Sequence, residues 1–168
     1  MTLTELHWVE GPWPGKLALT ARPRGGDWLE DEIAGWRSAG VDTVVSLLEE
    51  DEELDLDLGE ERNAFQAQSM RFKPLPIADR RVPLSEVEFS KRIDELDREL
   101  AAGKNVVVHS RQGIGRTGLV AGCLLVLRGL EPEAAVRRLS EARGAAVPET
   151  AEQRRWIDHY AEMLSTTR

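Results

Sequence analysis

Short apolar runs alternate along this chain with longer segments in which apolar residues recur every three or four positions. The first pattern reads as strands and the second as amphipathic helices. Leu6 to Val9 and Lys16 to Leu19 read as short strands across the turn-rich Gly11-Pro12-Trp13-Pro14-Gly15. Asp27 is placed to cap a helix that carries Leu29, Ile33 and Trp36 on one face and ends near Gly40. Val41 to Leu48 is a β-branched apolar run and is expected to be a central strand. A helix is expected across Glu60 to Gln68, then a strand from Arg71 to Leu75, with Pro74 and Pro76 leading into a loop.

Ser85 with Glu88 forms a capping box. The helix it opens carries Val87, Ile93, Leu96 and Leu100 and stops at Gly103. Asn105 to His109 is the next buried strand, and a glycine-rich loop separates it from a helix spanning about Thr117 to Arg128. Pro132 suits a first helical position, so another helix should run to about Ala142. Thr150 with Gln153 makes a second capping box, before a last helix carrying Trp156, Ile157, Tyr160 and Leu164. Strands alternating with helices predict an α/β fold: a central mixed, mainly parallel sheet flanked by helices on both faces. Ligands of such sheets bind at the carboxyl ends of the strands, where His109 lies.

Composition narrows the partners. A length of 168 residues fits one domain, 1–168, with a sizeable core. A net charge of -8 argues against nucleic acid, which asks for a basic face, while leaving room for a local anion pocket. The longest apolar stretch, Leu119 to Leu127, is about half of a membrane span, and the N-terminus lacks the features of a signal peptide, so no membrane association is expected. A single cysteine, Cys123, points to a reducing cytoplasm. The acidic stretch Glu49 to Asp57 reads as a solvated loop. Trp13, Trp28, Trp36 and Trp156 read as core or half-buried packing residues. His7, His109 and His159 have no metal-ligand spacing, and no cofactor is expected.

The chemistry concentrates in His109-Ser110-Arg111-Gln112-Gly113-Ile114-Gly115-Arg116-Thr117-Gly118. Residues 113–118 formally fit Gly-x-Gly-x-x-Gly, but two helices follow where a dinucleotide site needs a strand ending in an acidic residue. A serine-hydrolase reading of Ser110 lacks the Gly-x-Ser-x-Gly elbow. It also lacks a base, because adjacent strand-end residues His109 and Ser110 point to opposite faces. The third reading is an oxyanion cradle. Glycines let successive N–H groups turn toward a phosphate, a helix start adds its positive end, and Arg116 can curl back to grip two oxygens.

This segment resembles the signature loop of the protein tyrosine phosphatases, His-Cys-x5-Arg-Ser/Thr-Gly, and departs from it in having Ser110 at the cysteine position. The compact length is most similar to the dual-specificity branch. Two further segments extend the resemblance over most of the chain. Pro76-Ile77-Ala78-Asp79 lies where the family carries its general-acid aspartate. Glu149-Thr150-Ala151-Glu152-Gln153 resembles the family's Gln-Thr-x-x-Gln, with Glu149 departing from the first glutamine.

The resemblance implies a role for each position. Residue 110 would attack phosphorus, and Arg116 would bind phosphate and steady its oxygens. Thr117 would assist residue 110, Asp79 would protonate the leaving alcohol, and Gln153 would help place water. Arg111, Gln112, Gly113, Ile114 and Gly115 would line the cradle, with His109 organising it. Arg80 and Arg81 read as solvated or as contacts to a phosphosubstrate. An alcohol lacks the low pKa of an activated thiol, so the Ser110 form is expected to bind phosphate or sulfate without turnover.

Two explanations fit the serine. One is a deliberate replacement that traps substrate, favoured by the retention of Arg116, Thr117, the glycines and Asp79. The other is a natural pseudophosphatase that reads phosphorylated partners. The expected partner is a phosphorylated protein or peptide. A loop with Arg111 but no lysine points away from a lipid substrate, and the choice between phosphotyrosine and phosphoserine or phosphothreonine stays open.

Overall fold

A computed structural model describes residues 4–167. Five strands form one sheet in the order β1-β2-β5-β3-β4. They are β1 (His7–Val9), β2 (Leu17–Ala21), β3 (Thr43–Ser46), β4 (Arg71–Pro74) and β5 (Val106–Ser110). The β1 edge pairs antiparallel with β2, and every other pairing is parallel. The sheet is therefore mixed and mainly parallel, as the alternation of elements predicts. β5 sits at its centre, with Ala21 opposite Ser110 on one side and Ser46 opposite His109 on the other. Three strand ends thus converge where the glycine-rich loop begins.

Seven α-helices cover the sheet among the described residues: α1 (Leu29–Ser38), α2 (Glu50–Asp55), α3 (Glu61–Ala67), α4 (Glu86–Ala101), α5 (Gly115–Leu127), α6 (Pro132–Arg143) and α7 (Ala151–Thr167). Strand alternation sends side chains to two cores. Leu17, Leu19, Val45, Val106 and Val108 pack against α4 through α7. Ala18, Val44 and Val107 pack against Ile33 and Trp36 of α1 and Phe65 of α3. α5 is buried from Gly115 to Val126, which is why it reads as an apolar run and not as an amphipathic helix. Among the described residues, no helix is long and apolar enough to cross a membrane.

The structure corrects four expectations. Asp27 does not cap α1: it lies inside a 3₁₀ turn, Gly26–Trp28, and α1 starts at Leu29, one residue later than a cap at Asp27 would place it. The acidic stretch is not a solvated loop, since α2 occupies its centre and turns Glu52 inward. Trp28 is 48% exposed and lies under the Arg24 guanidinium instead of packing in a core. Val87 is 74% exposed; α4 buries Phe89, Ile93, Leu96 and Leu100 instead. Both expected caps lie at helix starts, but only Thr150 with Gln153 makes a reciprocal box, because the Glu88 side chain accepts from Arg92 instead. Ser85 accepts from the Glu88 N–H, while Thr150 and Gln153 each accept the other's backbone N–H.

Candidate active site

The loop leaves β5 at Ser110 and enters α5 at Gly115. Its carbonyls face away from the cleft. Arg22 N–H donates to the Arg111 carbonyl at 3.4 Å, and Arg143 of α6 donates to those of Gln112 and Gly113 at 3.0 and 3.1 Å. A trans peptide points its N–H opposite to its carbonyl, so the N–H groups of Gln112, Gly113 and Ile114 turn to the inner side. Gly113 makes the turn possible with φ of 73°, and an added Cβ would lie 2.4 Å from the Thr20 carbonyl.

Arg116, one residue into α5, is 2% exposed. Its Nη1 and Nη2 donate to Glu52 Oε1 and Oε2 at 2.6 and 2.9 Å. Nη1 also donates to the Ile77 carbonyl at 2.8 Å. Burial pushes the Glu52 carboxyl up, but the bonds from Arg116, the Glu49 N–H and Arg111 outweigh it and hold the group below the usual carboxylate range. On the cleft side, Arg116 Nη2 lies 3.2 Å from Asp79 Oδ1. Ser110 and Thr117 are buried at the floor, their hydroxyls 2.7 Å apart.

The opening above them is about 230 Å³, lined by Asp79, Arg80, Ser110, Arg111, Gln112, Gly115, Arg116 and Glu149. Residues 78–81 make a tight turn closed by Arg81 N–H to the Ala78 carbonyl, with Arg80 in the left-handed region at φ of 64°. The turn aims Asp79 at Arg116 and Arg80 at Glu149, whose carboxylate it meets at 2.7 Å. Gln153 is buried and braces the turn from below: its Nε2 donates to the Arg81 carbonyl and its Oε1 accepts from the Thr150 N–H. Each arginine of the opening has a carboxylate partner: Arg80 has Glu149, Arg111 has Glu52, and Arg116 has Glu52 and Asp79.

A family model described as "Swiss Army Knife protein, DSP-PTPase phosphatase domain" matches residues 4–160. The chain belongs to this phosphatase family. Kinase associated phosphatase carrying a serine in place of its catalytic-site cysteine superposes with a TM-score of 0.89 at 21% identity, over 98% of each chain. Tk-PTP in its active form gives 0.76 at 25% identity, over 94% of this chain and 96% of that one. The "Putative tyrosine phosphatase 197R" of Invertebrate iridescent virus 6 is 29% identical over 133 residues. That match takes in 75% of this chain but 47% of the viral protein, so the chain spans about half the length of the curated relative.

Within this phosphatase domain, Ser110, Arg111, Gln112, Gly115, Arg116 and Asp79 share one opening, with Thr117 at its floor. Gly113 and Ile114 offer it only backbone N–H groups: Gly113 is buried against Thr20, and the Ile114 side chain packs on the α5-side core. His109 is buried on the opposite face of the sheet from Ser110, against Trp36 and in direct contact with the Glu61 carboxylate of α3. Cys123 offers no substitute nucleophile, because it is fully buried in α5 and burial pushes its thiol well up.

Three polar residues of this phosphatase site are missing from the sequence reading: Glu52, Glu61 and Arg143. Each acts across a sequence gap, 64 residues from Glu52 to Arg116, 48 from Glu61 to His109 and 30 from Arg143 to Gly113. The one local signal for Glu52 was the spacing Glu49-x-x-Glu52, in which the Glu49 N–H donates to Glu52.

Proposed function

We propose that this chain holds a phosphorylated protein or peptide in the His109–Gly118 loop and does not cleave it. Residues 1–168 form one phosphatase-like domain in this reading, in a cytoplasmic setting, with phosphate or sulfate as minimal ligands. The observation that carries it is the floor of the cradle. The Ser110 hydroxyl bonds to the Thr117 hydroxyl at 2.7 Å, and no base meets it among the hydrogen bonds of the described residues. Arg116 is oriented to bind two phosphate oxygens, the inner N–H groups take the others, and the start of α5 adds positive potential.

With cysteine at 110 the same groups support hydrolysis. The thiolate forms a bond to phosphorus as the bond to the alcohol breaks, and Asp79 gives its proton to that alcohol. Water then attacks the phosphorus of the thiophosphate, releasing phosphate and the thiolate. Thr117 steadies the sulfur as it leaves. Serine keeps every binding group and removes only the low-pKa nucleophile. The kinase associated phosphatase structure supports this, since that protein keeps its fold with a serine at the same kind of position.

One observation favours a natural phospho-binding module over a trapped enzyme. Glu149 stands where the family's first water-placing glutamine would be, and it is spent on Arg80. The deciding experiment is Ser110→Cys assayed for phosphate release from phosphoserine and phosphotyrosine peptides. Turnover that appears with cysteine supports an enzyme inactivated at one atom. No turnover, with phosphopeptide still bound, leaves the binding module. No anion bound by either form overturns the proposal.

A further inference from the structure

The wall above Ser110 and Arg116 is made by Asp79, Arg80, Arg111, Gln112 and Glu149. Not one of these side chains is apolar. Ile77, Ala78, Val82 and Leu84 line a separate groove, and Ile114 is turned into the core. A phosphate seated in the loop therefore carries its alcohol past two carboxylates, two guanidiniums and an amide.

That wall is fixed. Arg80 and Glu149 are joined at 2.7 Å. Gly115 lets residue 149 come this near, since an added Cβ there would lie 3.1 Å from Glu149 Oε1. An aryl ester places its ring one bond from the bridging oxygen, where it needs apolar area to bury against. Here the ring would strip water from the Asp79 and Glu149 carboxylates and return no hydrogen bonds to them. A slim methylene or methine passes the same wall with its sides still open to water.

Resting on the phosphate-cradle reading above, we infer that the site takes alkyl phosphomonoesters of the phosphoserine and phosphothreonine type in preference to the aryl ester of phosphotyrosine, and that Arg80 and Glu149 set this preference. The pair acts on the ester side of the ligand, whereas Arg116 and the loop hold the phosphoryl group common to both.

Calorimetric titration of the Ser110 chain tests this with inorganic phosphate and two matched pentapeptides that differ only in carrying phosphoserine or phosphotyrosine. Phosphate should bind, and phosphoserine peptide should bind about tenfold tighter than phosphotyrosine peptide, the scale of one mismatched group in a pocket. Arg80→Ala with Glu149→Ala should bring the two peptides toward equal affinity. Glu149→Gln alone, which keeps the side chain's size and breaks the ion pair, should move the ratio the same way.

Phosphotyrosine binding as tightly as phosphoserine, or a ratio unmoved by these changes, overturns the inference while phosphate binding leaves the cradle standing. No binding of phosphate or of either peptide overturns the cradle reading itself. Glycerol 3-phosphate and phenyl phosphate separate the ester from its peptide: the former binding tighter supports the inference, and the latter binding tighter overturns it.

Discussion

Glu52 holds Arg116 by both ends of its guanidinium, at 2.6 and 2.9 Å, from a helix 64 residues away in sequence. The arginine is thereby oriented before any anion arrives. Removing the carboxylate leaves a buried cation short of a partner, and Glu52→Ala should cost about 3 kcal/mol in urea unfolding. It should also weaken phosphate binding measured by titration.

The same pair has a pH signature. The folded Glu52 carboxyl lies below its ordinary value of 4.5, so the unfolded chain takes up the proton first as pH falls. The stability that Glu52 contributes is full above about 4.5 and is lost as pH drops through the lower folded value. Unfolding curves of the parent and of Glu52→Gln should converge in that acid window and stay apart at neutral pH. Curves that keep a constant separation would show that the charge is not what matters.

Gly113→Ala should damage the loop more than its size suggests. The residue sits at φ of 73°, which costs a side-chain-bearing residue about 1 kcal/mol. Its methyl would also lie 2.4 Å from the Thr20 carbonyl in β2, where only backbone movement makes room. Thermal unfolding should register the loss, and phosphate titration should show a weakened cradle. Alanine at Gly103, where an added Cβ meets nothing within 4 Å, is the control for left-handed strain alone.

Glu61 and His109 should behave as a unit. Both are buried and in direct contact on the sheet face opposite the pocket. A double-mutant cycle with Glu61→Gln and His109→Asn should give a coupling of about 2 kcal/mol in unfolding free energy. Simple additivity of the two changes would show that the contact contributes nothing of its own.

In a Ser110→Cys background, Asp79→Asn should lower kcat on p-nitrophenyl phosphate by about a hundredfold, the scale of a lost general acid. An unchanged kcat would move the acid role elsewhere in the 78–81 turn.

The sheet and the loop were legible in the sequence because their signals are contiguous. Val106 to Ser110 with the glycines after it carries strand, turn and helix start within a few residues, and Val41 to Leu48 shows a buried strand outright. Glu52 and Glu61 were not legible because nothing near them announces a buried role. A run of carboxylates looks solvated until an arginine folds in from another element and neutralises one of them. The same holds for Arg143, whose partners are backbone carbonyls that leave no mark on residue type. Asp27 shows the converse, a residue with the right chemistry for a cap that the chain passes by, because the turn at Gly26–Trp28 starts the helix later.

The 3.2 Å approach of Asp79 to Arg116 means that the cradle already contains an anion, tethered to its own chain. An incoming phosphate must win the arginine from this internal rival. Its apparent affinity is the intrinsic one discounted by the fraction of molecules in which Asp79 has swung aside. The discount is shared by every ligand that needs Arg116, so it cancels when two ligands are compared. Absolute binding can therefore be modest while discrimination stays sharp. The side chain that yields its place is also the one proposed to meet the ester oxygen, so loading the site frees Asp79 from Arg116 and lets it take up the proton that an acid must carry.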